Sequence, residues 1–225
     1  ANASLVLFNL IPAFPLDGGR ILRALLALFM GFPRATRLAA VIGQFIAVLL
    51  GLYGVLNGNF ILTLVAVFIF FGAGHETAQA EAKTVLDTLR VGDAYNKHAL
   101  TLTIGDRVSR VVDYLLTSYQ PDFAVLQGRN PIGIIARDNV LEAQASTPGD
   151  IFVTEIMQRE FPKVDATQSL DDVRRQLDEQ GARVAAVYEG ANYLGLISLE
   201  DIAEALAVQV FVQRQKRLRQ AQAGA

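Results

Sequence analysis

The sequence predicts an α-helical polytopic membrane segment followed by a soluble α+β tandem repeat. Residues 38–56 carry no charged side chain, which marks the first part. A shift of 62 residues carries Val91 onto Val153 and keeps its register for about 50 positions, which marks the second. The composition divides at the same place: of 225 residues 52% are hydrophobic, yet the excess lies before Ala73 and charged residues crowd the part after Glu76.

Pro12 and Pro15 stand three apart between Asn9 and Asp17, a spacing no helix interior accommodates, so an extended or looped segment is expected there. From Asp17, the apolar Ile21, Leu22, Leu25, Leu28 and Phe29 recur at helical spacing, interrupted by Arg20 and Arg23, and predict a helix over 17–31. A helix of about 20 residues rises about 30 Å, the thickness of a hydrocarbon core. A spanning helix is therefore expected at about 37–56, its Gly43, Gly51 and Gly54 suited to close helix packing. Asn57-Gly58-Asn59 turns the chain into a second apolar arm, expected at about 59–78, with His75 at its interfacial end. Arg34 and Arg37 flank the entry to this hairpin and its turn is uncharged, which places the residues after Glu76 in the cytosol. The expected location is the inner membrane, as a multi-pass protein in contact with lipid.

The repeat pairs Val111 with Val173, Leu115 with Leu177, Ala124-Val125 with Ala186-Val187, Gly133 with Gly195 and Ile135 with Ile197. In each copy an amphipathic helix (106–119, 168–180) precedes two β-rich runs around a glycine and a closing helix, a β-α-β-β-α order. The copies are expected at 81–148 and 149–210, after a membrane part at 1–80. A basic tail at 211–225 is expected to be solvated, with anionic lipid headgroups as its alternative partner.

A net charge of -2 offers no basic field, which excludes nucleic acid as an expected partner. The lack of cysteine excludes disulfides and thiolate metal ligands. The chain opens at Ala1 without methionine or a charged leader and is expected to be a carboxyl-terminal fragment.

Local chemistry leaves two readings of Asp17: a cap for the helix it precedes, or a metal ligand, since an ionisable group within membrane-grade sequence is costly and tends to be functional. In the second reading the extended segment before it offers unpaired backbone groups to a substrate strand. Asn9 either bonds its own backbone in a turn or serves the same site.

Phe8-Asn9-Leu10-Ile11-Pro12-Ala13-Phe14-Pro15-Leu16-Asp17-Gly18-Gly19-Arg20 resembles the second metal motif of the site-2 proteases, N-x-x-P-x-x-x-L-D-G. The resemblance implies an intramembrane zinc metalloprotease acting on membrane-spanning substrates, with Asp17 as the third protein ligand of Zn2+ and Asn9 as the residue beside the reaction centre. The family's other motif, H-E-x-x-H, is missing; only His75 and His98 are present, and Gln79 stands where a second histidine would follow His75. The chain is therefore expected to be inactive alone.

The tandem copies resemble CBS domains, which associate as pairs and often bind adenine nucleotides in the clefts between them; the resemblance implies regulation and leaves open whether two chains pair into a homodimer. The family's ligand pattern stands in the second copy as Gly195-Leu196-Ile197-Ser198-Leu199-Glu200-Asp201, implying Ser198 and Asp201 as nucleotide ligands. The first copy has Ala136 and Asn139 at those places. Ser198 and Asp201 equally suit the start of a helix without any nucleotide. A CBS-regulated transporter or channel and a catalytically inactive pseudoprotease are the alternative functions.

Overall fold

The structure, a computed structural model, describes residue 6, residues 8–146 and residues 149–223. The chain divides into two compact units, Ala1–Thr84 and Val85–Ala225.

The first unit is built on α1 (Asp17–Ala27), α2 (Phe32–Leu56) and α3 (Phe60–Thr88). Helix α1 ends sooner than its apolar pattern because Leu28, Phe29 and Met30 tighten into a last turn on the carbonyls of Leu25 and Leu26. Helix α2 starts sooner than its uncharged stretch because Pro33 occupies the first turn, where a missing N–H costs nothing. Helix α3 passes His75 and continues to Thr88, so His75 lies exposed within a helix rather than at its end. Gln79-Ala80-Glu81-Ala82-Lys83 are strong helix formers, and Glu81 pairs with Arg37 on α2.

By length and composition α2 and α3 can each cross a membrane. Their inner faces carry small residues: Ala35, Ala39, Ala40, Gly43 and Ala47 on α2, and Ala66 and Ala73 beside Ile69 on α3. Large apolar side chains face outward, Leu56 and Phe60 being 76% and 77% exposed. A soluble hairpin would bury them; a lipid solvent makes the outward choice cost-free.

The second unit holds two sheets of identical topology. After the short helix α4 (Val91–Ala94) come β1 (Thr101–Thr103), α5 (Val108–Thr117), β2 (Asp122–Gln127), β3 (Asn130–Ala136) and α6 (Arg137–Ser146). After the short helix α7 (Val153–Ile156) come β4 (Lys163–Asp165), α8 (Leu170–Gln180), β5 (Val184–Glu189), β6 (Asn192–Ser198) and α9 (Leu199–Ala223). The strand orders are β1-β2-β3 and β4-β5-β6, parallel then antiparallel, with Val125 opposite Gly133 and Val187 opposite Gly195. This is the expected β-α-β-β-α order. The basic run 213–219 continues α9 as helix, in keeping with its Gln, Lys, Arg and Leu composition; Arg214, Gln215, Lys216 and Arg219 are exposed on it.

The expected boundary at 148/149 divides the sequence repeat but not the packing. Val91 lies in a core with Val164, Leu170, Val173, Leu177 and Ile197 of the second copy. Val153 and Met157 lie in a core with Leu102, Val111, Phe123 and Ile135 of the first. Each copy thus lends its leading segment to the other. Two glycines admit these segments: a Cβ on Gly133 would stand 2.6 Å from Met157 Sδ, and one on Gly195 would stand 2.6 Å from the Asn96 carbonyl oxygen. The arriving backbone bonds to the strand edge, Gln158 with Ile134 in both directions and Asn96 N–H with the Leu196 carbonyl. A third apolar cluster, Ala124, Ile134, Val184, Ala186 and Leu196, joins the two sheets.

Candidate functional site

Residues 10–16 form a sequence of turns rather than an extended strand. Ala13 N–H bonds to the Ile11 carbonyl at 2.7 Å, and Leu16 N–H to the Ala13 carbonyl at 3.0 Å. Ala13 and Phe14 are wholly buried. The prolines forbid a helix here, and glycines draw the coil inward. A Cβ on Gly18 would overlap the carbonyl oxygens of Leu10 and Ile11; one on Gly19 would stand 2.6 Å from Ala13 C, and one on Gly72 2.5 Å from Pro15 Cδ. On α2, Gly43 faces Ala13 in the same way. The segment therefore presents turns, with Ala13 and Phe14 packed against α1, α2 and α3, in place of the extended edge expected for substrate addition.

Asp17 is the first residue of α1, exposed, and no side chain caps the helix. Its carboxylate has no hydrogen-bond or ion-pair partner among the described residues, so only the partial positive charge of the helix start favours it. The half-buried Asn9 likewise makes no side-chain bond to its own turn among the described residues. Both local alternatives, a capping aspartate and a turn-bonding asparagine, lack the bonds that define them. Asp17 fits a divalent cation as one anionic donor. Among the described residues no group of three or more His, Cys, Asp or Glu is arranged to hold a metal.

Beside this segment is a cluster that the apolar pattern hid. The Arg23 guanidinium lies over the Phe14 ring (5.4 Å) and the Phe32 ring (4.9 Å), and it pairs with Glu76 at 3.5 Å. Arg20 approaches the same carboxylate at 3.9 Å. What reads as an interruption of α1 thus fastens α1 to α3.

In the second unit a cavity of about 580 Å³ is lined by residues of both copies, among them Asn96, His98, Asp122, Arg183, Ser198 and Asp201. Its volume suits a small organic ligand. The two expected ligands meet here. Ser198 Oγ donates to Asp201 Oδ2 at 2.7 Å, Ser198 N–H donates to the same oxygen at 2.8 Å, and Asp201 N–H donates back to Ser198 Oγ at 3.1 Å. This reciprocal arrangement opens α9, so the helix-start reading of the pair is physically present. It leaves Asp201 Oδ1 without a partner among the described residues.

A related cavity of about 570 Å³ is lined by Ala136 and Asn139 with Phe161, Pro162 and Gly181. There Asn139 Oδ1 accepts from Ala136 N–H at 3.0 Å, so the helix start survives and the ionised carboxylate does not.

Sequence reasoning missed Asp122. It begins β2, is only 7% exposed, and makes no side-chain hydrogen bond among the described residues. Burial, and then the charge of Glu200, push its carboxyl up to about 6 against the opposing pull of Arg183. Glu200 moves the other way: burial opposes its ionisation, but the Arg183 guanidinium bonded to it outweighs that and holds it below the usual range. A charged residue at the head of an otherwise apolar strand was the one available signal, and it does not say which cavity that strand borders.

Residues 1–53 match the profile of peptidase family M50, and residues 153–208 match the CBS domain. A zinc metalloprotease of Methanocaldococcus jannaschii is 31% identical over 201 residues, covering 89% of this chain and 57% of that protein. The chain therefore spans little more than half the length of this relative. Among solved structures, AcuB of Vibrio cholerae has a TM-score of 0.52 at 15% identity, covering 56% of this chain and 96% of that one. The CBS domain of a bacterial CNNM/CorC family Mg2+ transporter has a TM-score of 0.50 at 14% identity, covering 60% and 90%. Both likenesses concern fold alone, a CBS-pair architecture, which in this chain follows two apolar helices.

Proposed function

From the premise that residues 1–53 match peptidase family M50 and residues 153–208 the CBS domain, we propose that this chain is the carboxyl-terminal part of an intramembrane zinc metalloprotease. Its substrates are membrane-spanning proteins, and its CBS pair regulates it from the cytosol. The observation that carries this reading is the Asp17 carboxylate, which opens a helix beside apolar spans yet has no protein partner among the described residues. An anion so placed calls for a cation.

In the complete protein Asp17 is one zinc ligand, and two histidines and a glutamate of an H-E-x-x-H motif come from outside this chain. Zinc, when bound, lowers the pKa of a water and polarises a peptide carbonyl. Within this chain, Gly18 and Gly19 let the turns of residues 10–14 pack onto the first turn of α1, which fixes where Asp17 points. Asn9, its amide uncommitted, offers an N–H to the carbonyl oxygen of a bound peptide. The hairpin of α2 and α3 keeps water from the segment. Arg23, held by Phe14, Phe32 and Glu76, positions α1.

The test uses the complete protein. Wild type is expected to carry one zinc per chain, and Asp17→Ala to lose both the metal and cleavage of a membrane substrate. Wild-type cleavage by the variant, or a complete protein devoid of zinc, would end the proteolytic reading.

For the CBS pair we propose that the first cavity takes an adenosine-bearing ligand, with Ser198 and Asp201 as contacts. The free Oδ1 of Asp201 is suited to ribose hydroxyls. Pairing of two chains through this unit is part of the same reading, tested by the mass of the protein in detergent with and without ligand.

A further inference from the structure

The first cavity has an electrostatic character that its two motif residues do not reveal. Asp122 as a residue is more than nine-tenths buried, and its carboxylate is unpartnered among the described residues. It borders the same space as Asp201 and Glu204. Of the two arginines that line this space, Arg183 is bonded to Glu200, so those charges offset one another. Three carboxylates then face Arg137 alone, which is itself exposed. His98 on the same wall is exposed as well.

A buried carboxylate without a donor is costly, and a ligand that brings a hydroxyl, an amine or a positive charge relieves the cost. A phosphate does the opposite, since it adds like charge beside a carboxylate that already lacks a partner. The raised proton affinity of Asp122 is the same effect felt by a proton.

We propose that Asp122 makes this cavity selective for uncharged or cationic adenosine derivatives and unfavourable to phosphorylated ones. The inference rests on the adenosine reading of the site and narrows it by charge. Asp122 is a specificity residue and Ser198 and Asp201 are the ribose contacts. The copy-one cavity has no such group, because Val184 takes the place of Asp122 under the repeat.

The test varies charge at one atom of the ligand. The whole chain in neutral detergent is titrated by calorimetry at pH 7.5 with adenosine, 5′-AMP and 5′-amino-5′-deoxyadenosine. The amine is expected to bind most tightly, and AMP about tenfold more weakly than adenosine, the discrimination of one unfavourable charge contact. Asp122→Asn, nearly isosteric, is expected to narrow the gap between adenosine and AMP to about threefold or less. Glu204→Gln, at the rim, narrows it in the same direction by a smaller factor and guards against a folding defect in the first variant. AMP binding most tightly to wild type, or a gap unchanged in Asp122→Asn, overturns the charge selection and leaves the adenosine site standing. If none of the three binds at millimolar concentration, the adenosine reading itself fails and the selection fails with it.

Discussion

The two units of this chain pack by opposite rules. In the second unit branched side chains fill closed cores: Val173, Leu177, Ile197 and Val187 are fully buried around one sheet, and Val111, Phe123 and Ile135 around the other. Along α2 and α3 of the first unit alanine and glycine supply most of the buried positions, while most leucine and phenylalanine side chains point outward. The same apolar residue types thus face opposite ways in the two units because their solvents differ. Water drives large apolar groups inward; lipid is indifferent to them, and close backbone approach supplies the cohesion instead.

This contrast can be broken by trading large for small. Leu177→Ala in the second unit is expected to cost about 2–5 kcal/mol, the range for an emptied core site. Leu56→Ala in the first should cost less than about 0.5 kcal/mol, as at an exposed position. Thermal unfolding in detergent checks both, and equal losses would mean that the outward face of α2 is not a lipid face.

The converse substitution, small for large, sharpens the same point. Gly18→Ala forces a methyl against the carbonyls of Leu10 and Ile11 and is expected to destabilise the first unit by about 3 kcal/mol, with loss of helical signal on heating. Gly31→Ala, where nothing lies within 4 Å, should be silent.

The second unit has a buried carboxylate whose proton affinity is raised. Asp122 titrates near 3.8 when unfolded and at about 6 when folded, so the folded state holds the proton more tightly. Its contribution is complete below about 3.8 and is lost as pH rises to about 6, after which it is flat. The loss is expected to be about 2 kcal/mol after partial screening. Asp122→Asn should abolish that part of the pH slope, and an unchanged slope would show that the group is not buried in solution.

The smallest effect compares the two copies. Ser198→Ala removes the hydroxyl that accepts from Asp201 N–H and should cost about 1 kcal/mol. Ala136→Ser supplies the same hydroxyl to the first copy and should stabilise it by a similar or smaller amount. Chemical denaturation distinguishes these directions.

Much was legible before any coordinates. The uncharged stretch of α2, the proline spacing of residues 12–15 and the repeat that pairs Val91 with Val153 are local or periodic features, and they reappear as helix, turn and twin sheets. The helix-start positions of Asp17, Ser198 and Asp201 were legible from the motifs that hold them. His75 was misplaced at a helix end, since hydropathy falls where the helix does not. The extended reading of residues 9–15 missed its glycine partners, which lie on α1, α2 and α3 and are distant in sequence.

The sequence by itself determined that there are spans, that there are two equivalent copies, and which residues begin their helices. Only the tertiary structure decided which sheet each leading segment joins, and that Asp122 of one copy shares a cavity with Ser198 and Asp201 of the other. The reason is symmetry: Val91 and Val153 are alike and so are the sheets they could cover, so local pattern fits either docking equally. The choice belongs to chain connectivity and the closing of two cores at once, and those are properties of the folded whole.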